Sequence, residues 1–156
     1  LSYKLAYWFF IFALPMVFSP FTWWQVLLGW LVMNMVAGFI LTVTFQLAHV
    51  VEGVSFPRPT DEGKVENEWM IHQIKTTANF AKHSKLVTWY VGGLNFQIEH
   101  HLFPNICHVH YKKLSDIVRA TAEEYGIMYN DKKTYFAAVQ SHYKMLKQLG
   151  VKPLIS

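Results

Sequence analysis

Charge is what the first third of this chain lacks. Residues 1–51 hold one lysine, Lys4, and no acid; the first acid is Glu52, and the other 13 of 14 basic residues and all 10 acids come later. A surface that faces water throughout carries interspersed charge, so this stretch is not the surface of a soluble domain. Cysteine is also scarce. Cys107 stands alone, which excludes an internal disulfide and fits a reducing compartment. With one cysteine and no HExxH pattern, the usual zinc architectures are disfavoured. The net charge of +4 is not gathered into a run or stripe, which argues against nucleic acid as a partner. Repeats and low-complexity tracts are absent too.

Apolar and aromatic residues fill the space that charge leaves, at 53% and 17% of the chain. Residues 1–19 are apolar except for Lys4 near one end, and a helix of that length spans roughly 28 Å, close to a bilayer core. Pro15 is expected to kink or end it. Pro20 and the pair Trp23-Trp24 form a short connector, with the tryptophans suited to an interfacial belt. From about Gln25 to His49 no residue is charged, and this segment crosses with length to spare. The expectation is an all-α protein: two transmembrane helices over 1–51 in an integral membrane hairpin, then a cytoplasmic helical cap over 52–156. Lys4 and the basic remainder fall on the same side of such a hairpin, which the positive-inside rule assigns to the cytoplasm. The protein would be multi-pass, with the bilayer itself as a partner. Its first residue, Leu1, lies inside an apolar run, as in a piece cut from a longer protein.

Within the cap, prolines, glycines and mixed charge mark 52–64 as a loop. A helix is expected from Val65 to about Lys82, with Trp69, His72, Gln73, Thr76 and Phe80 on one face. A second, over 111–125, carries the stripe Leu114, Ile117, Val118, Ala122 and Tyr125, with Gly126 as its C-terminal cap. A last helix is expected from about Asp131 to Leu149, with Asn130 as N-cap and Gly150 at its end.

The stretch Gln97-Ile98-Glu99-His100-His101 carries the chemistry. On a helix, positions 97, 100 and 101 share a face, so one amide and two imidazoles can be aimed at a common point. Glu99 falls on the opposite side and is not expected to be a primary ligand. Adjacent histidines with a polar side chain one turn earlier suit a metal that takes nitrogen ligands and leaves room for oxygen chemistry. A bare pair of histidines can equally be structural. His49, a polar residue closing an apolar helix, is a functional candidate by default, or an interfacial histidine wetted by headgroups. His72 could orient a ligand or be an ordinary cap histidine, and His108 suits helix capping or a substrate head group. His83 is expected to be solvent-facing, and His142 structural. Lys112, Lys113 and Arg119 form a solvated helix face or meet phosphate.

The full string Asn95-Phe96-Gln97-Ile98-Glu99-His100-His101-Leu102-Phe103-Pro104 resembles the third histidine box of front-end fatty-acid desaturases, whose pattern is QxxHH within FQIEHHLFP. The run Thr76 to Phe80, Tyr90-Val91-Gly92-Gly93 and Asn105-Ile106 are similar as well, and the resemblance covers most of the chain. It implies the C-terminal half of a fold with four transmembrane helices. It also implies two iron ions held largely by histidines, with His100, His101 and His49 among the ligands and Gln97 binding directly or from behind a ligand. The activity implied is insertion of a double bond into an unsaturated acyl chain, using O2 and two electrons. The substrate would be a fatty acyl-CoA or an acyl-lipid, and the electron donor a protein such as cytochrome b5 or ferredoxin. The catalytic face would be cytoplasmic, in a bacterial inner membrane or, in a eukaryote, the endoplasmic reticulum. The family's other boxes, HxxxH and HxxHH, occur nowhere in these residues, so the chain alone is expected to be inactive. Two further readings stand beside this one. One is a hydroxylase or sphingolipid desaturase on the same scaffold. The other is a non-catalytic, membrane-anchored metal-binding or receptor-like protein.

Overall fold

The structure, a computed structural model, describes residues 2–65 and 67–151. It is mostly helical. It divides into two compact units, one ending at Thr42 and the other beginning at Val43. The cut falls inside a single long helix.

The first unit holds α1 (Ser2–Phe18) and most of α2 (Trp23–His49). In α1 the chain does not stop at Pro15. A π turn over Phe9–Ala13 comes just before the proline, and the helix then continues to Phe18. Such a turn re-routes the backbone hydrogen bonds where proline can donate none. The Pro15 carbonyl then accepts from both the backbone and the hydroxyl of Ser19, at 3.0 and 2.5 Å. α2 begins two residues earlier than Gln25, because Thr22 and Gln25 form a reciprocal cap. The Gln25 Oε1 accepts from the Thr22 backbone N–H at 2.8 Å, and the Thr22 carbonyl accepts from the Gln25 N–H. At 27 residues, α2 is about 40 Å long. It is the one described helix both long and apolar enough to cross a membrane; α1 is apolar but shorter. The pair meet through Trp30, which donates from Nε1 to the Tyr7 hydroxyl at 2.8 Å and packs on Trp8 and Phe12.

The second unit opens with the last turns of α2. A long loop comes next, then α3 (Trp69–Thr76), β1 (Asn79–Phe80), α4 (Lys85–Tyr90), α5 (Gln97–Leu102), a 3-10 turn (His108–His110), α6 (Tyr111–Glu124), β2 (Asp131–Lys132) and α7 (Tyr135–Val151). Three sequence expectations need correction. The helix expected over 65–82 is only α3, because Thr77 turns extended and Asn79–Phe80 pair in parallel with Asp131–Lys132. The last helix starts at Tyr135 rather than Asp131, since Asp131 is in that short ladder. Its N-terminal cap is Thr134, whose hydroxyl accepts from Ala137 N–H at 3.0 Å, and Gly150 lies within the helix. Among the described residues, the regular structure of the second unit is thus helical but for one pair of two-residue parallel strands. By contrast α6 ends as expected: Gly126 has φ +66°, and Ile127 N–H reaches back to the Ala122 carbonyl at 2.8 Å. Of its stripe, Val118 and Ala122 are buried, whereas Ile117 and Tyr125 stand exposed.

Three apolar clusters lie among the described residues of the second unit, the smallest formed by Val51, Val54 and Ala78. Leu47 and Ala48, near the end of α2, pack with Phe80, Ala81 and Ala138. Ile98 and Leu102 of α5 pack with Ile74 of α3 and Val118 of α6. The cluster at Leu47 anchors the end of α2, and the cluster at Ile98 joins α3, α5 and α6. The loop after α2 is tied down from the far end of the chain. His142 Nδ1 donates to the Val50 carbonyl at 2.7 Å, and Lys132 Nζ donates to the Glu52 carbonyl at 2.8 Å.

Candidate metal centre

α5 is short, and each of its faces has a different task. Ile98 and Leu102 enter the core. Gln97, His100 and His101 share a face, as their spacing requires. That face meets His49, the last residue of α2. The Gln97 Nε2 lies 3.3 Å from His49 Nε2 and 3.1 Å from His101 Nε2. The His49 and His101 rings are 5.2 Å apart, and the His100 and His101 rings 5.9 Å. Residues 48 positions apart thus bring two ring nitrogens to one amide.

Two of the imidazoles are also held from behind. His101 Nδ1 lies 2.7 Å from Gln73 Oε1 on α3, and His100 Nδ1 lies 3.4 Å from the Tyr111 hydroxyl on α6. Burial pushes His101 down to about 4, and the neighbouring His49 and His100 push the same way. Near neutral pH its ring is therefore uncharged, with a lone pair to offer.

Glu99 points away from the imidazoles and is fully buried. Its carboxylate accepts from Asn79 Nδ2 at 2.7 Å and from the Tyr129 hydroxyl at 2.8 Å. Asn79 Oδ1 in turn accepts the Ile98 backbone N–H at 2.9 Å. Tyr129 is also 3.0 Å from the Ser115 hydroxyl, to which Lys82 Nζ donates at 2.8 Å, and Lys82 pairs with Asp131 at 3.2 Å. Burial pushes the Glu99 carboxyl up, while the bonds from Tyr129 and Asn79 pull it down. This buried chain fixes the back of α5, and so the direction in which its front face points.

His49, Gln97 and His101 therefore come together, with His100 beside them. His72 does not join them by any hydrogen bond: its Nδ1 is buried without a partner. The residue that reaches His101 is its neighbour, Gln73. His108 is exposed on the 3-10 turn, its Nδ1 3.9 Å from Cys107 Sγ. Its Cβ lies 2.6 Å from where a Cβ on Gly93 would stand, so that glycine, at φ +83°, admits the turn. His83 is exposed, and Arg119 is paired with Glu123 at 3.0 Å. Gln73 and Thr76 share the periodic face named from the sequence. Asn79, Tyr129 and Tyr111 gave no signal there, because their partners are 11 to 50 residues away.

The donors suit iron: imidazoles at a point reached also by an amide, with no thiolate. Among the described residues, no three His, Cys, Asp or Glu side chains gather into a complete metal cage.

Comparison with known proteins bears on this site. The sequence model of the fatty acid desaturase family matches residues 2–133. The sn-1 linoleoyl-lipid 6-desaturase of Synechocystis is 42% identical over 96% of this chain and 42% of its own length. A protein of the same description from Arthrospira platensis is 39% identical over 93% of this chain and 38% of its own. The acyl-lipid (8-3)-desaturase of Physcomitrium patens is 39% identical, over 95% and 31%. The chain thus spans about two fifths or less of the length of these curated relatives. No solved structure matches it.

Proposed function

Because the chain belongs to the fatty acid desaturase family, we propose that it is part of a membrane enzyme that inserts a double bond into an unsaturated fatty acyl chain carried on a lipid. One observation carries the reading. Nε2 of His49 and of His101, from well-separated points of the second unit's sequence, converge on the Gln97 amide within 3.3 Å. An anchor or receptor-like module has no use for that arrangement. The names of the relatives favour an acyl-lipid over an acyl-CoA as substrate.

In this reading His49, His100 and His101 are iron ligands, with Gln97 binding directly or from behind them. Other ligands come from outside this chain, which holds neither an HxxxH nor an HxxHH pattern. When bound, the two irons supply O2-dependent removal of two hydrogens, which no side chain can perform. An external donor such as ferredoxin or cytochrome b5 provides the two electrons. The chain's own residues do the rest. α2 and the core cluster at Leu47 and Ala48 hold His49 in place, and the Glu99–Asn79 bonds hold α5 so that His100 and His101 face it. Rigid support of this kind is what positions a reacting methylene pair against an oxidant. α1 and α2 are two of four membrane crossings, and the imidazoles lie at the cytoplasmic face, as the basic residues after Val51 suggest.

The test is a fatty-acid profile by gas chromatography and mass spectrometry. A host fed linoleate would express the full-length protein or its His101→Ala variant, with a suitable electron donor. A new polyunsaturated product from the first and none from the second is expected. No new product from the intact, donor-supplied protein would overturn the reading.

A further inference from the structure

We propose that Gln73 is a positioning residue for the metal centre: its amide oxygen fixes the tautomer of His101, so that Nε2 is the nitrogen offered to a metal. The inference rests on the iron-site reading above and goes beyond it to a residue with no metal contact of its own.

A neutral imidazole has one N–H and one lone pair, and the partner of one nitrogen decides what the other can do. Two amides flank the His101 ring, and they agree. The Gln73 oxygen lies 2.7 Å from Nδ1, and an amide oxygen can only accept, so the His101 proton stands on Nδ1. On the other side the Gln97 NH2 lies 3.1 Å from His101 Nε2, which accepts with its lone pair. The same NH2 is 3.3 Å from His49 Nε2. The Gln97 NH2 thus rests at the nitrogens that a metal would take.

Gln73 is itself held firmly. Its carbonyl accepts from the Thr77 hydroxyl, and the next residue, Ile74, is in the core with Ile98 of α5. Of the side chains that stand behind the imidazoles at Nδ1, Gln73 at 2.7 Å is much closer than Tyr111 at 3.4 Å. It should therefore matter more. Outer partners of this kind commonly tune metal affinity about 10- to 100-fold.

The experiment uses the full-length protein, purified in detergent and loaded with iron. Retained iron is measured by mass spectrometry during titration with a chelator. Gln73→Met removes the acceptor at similar volume, with Gln73→Leu as a second apolar variant should the first fold poorly. Gln73→Glu keeps an accepting oxygen. The expected result is iron affinity lowered about 10- to 100-fold in the apolar variants, near wild type in Gln73→Glu, and unchanged thermal unfolding of the iron-free forms. Wild-type retention in a folded apolar variant would overturn the inference and leave the iron reading standing. So would a loss in Gln73→Glu as large as in Gln73→Met. A wild-type protein that holds no iron would overturn both.

Discussion

Up to Thr42, large apolar side chains face outward: Tyr3, Phe10, Val17, Met35 and Phe39 are each more than half exposed. From Val43 onward the pattern inverts, and even polar groups such as Glu99, Asn79 and Asn95 are fully buried. In the first unit the polar side chains are satisfied within one helix or between its two helices, as when Asn34 Nδ2 donates to the Trp30 carbonyl and Trp30 Nε1 to the Tyr7 hydroxyl, each at 2.8 Å. In the second they are satisfied across the fold, between residues as far apart as Asn79 and Tyr129. A bilayer explains the contrast. In lipid, apolar surface costs nothing to expose, while every backbone polar group must be paired within its own helix. Where water surrounds the chain, apolar burial supplies the stability, and buried polar groups are mostly paired, His72 Nδ1 and Asn95 Oδ1 being exceptions.

If that contrast is right, breaking a buried pair in the second unit should cost most. Lys82→Met strands the Asp131 carboxylate. A loss of about 3 kcal/mol is expected, at the low end because Arg119 stands 3.9 Å from the same oxygen. Chemical denaturation of the detergent-solubilised protein would read it, and a change below about 0.5 kcal/mol would mean the network contributes little. Val36→Asp tests the first unit by placing a charge in the middle of α2. Insertion is expected to be disfavoured by about 2.5–3.5 kcal/mol, visible as a smaller membrane-integrated fraction in a glycosylation-mapping assay. Unimpaired insertion would count against α2 as a span. The smallest effect belongs to Ser84→Ala. The Ser84 hydroxyl caps α4 by accepting from Val87 N–H at 3.3 Å, and its loss should cost about 1 kcal/mol or less, with α4 amides exchanging faster by hydrogen-exchange mass spectrometry.

The boundaries that sequence expectation missed share a cause. Nothing local distinguishes Thr77–Phe80 from a continuing helix. The segment is extended because Asn79 and Phe80 pair with Asp131 and Lys132, 52 positions on in each case, and a side-chain period cannot report a distant backbone partner. Likewise Asn130 looks like an N-cap, but the strand pair occupies the two residues after it. At the site, Gln97, His100 and His101 were legible because they lie within one helical turn. His49 was legible because a polar residue ending a long apolar helix is rare. The network behind Glu99 was not, since the sequence showed only that Glu99 faces away from the histidines, not what it faces.

By itself the sequence determined the split between an almost uncharged segment and a charged one, the helical spacing that puts one amide and two imidazoles on a face, and the C-terminal stop at Gly126. Each comes from composition or from a period of a few residues, which a linear chain carries openly. Only the tertiary structure decided that His49 meets that face, that Gln73 rather than His72 stands behind His101, and that Asn79 and Tyr129 hold Glu99. Those choices depend on packing between α2, α3, α5 and α6 in the second unit, whose contacts join residues too far apart in sequence for any local pattern to specify.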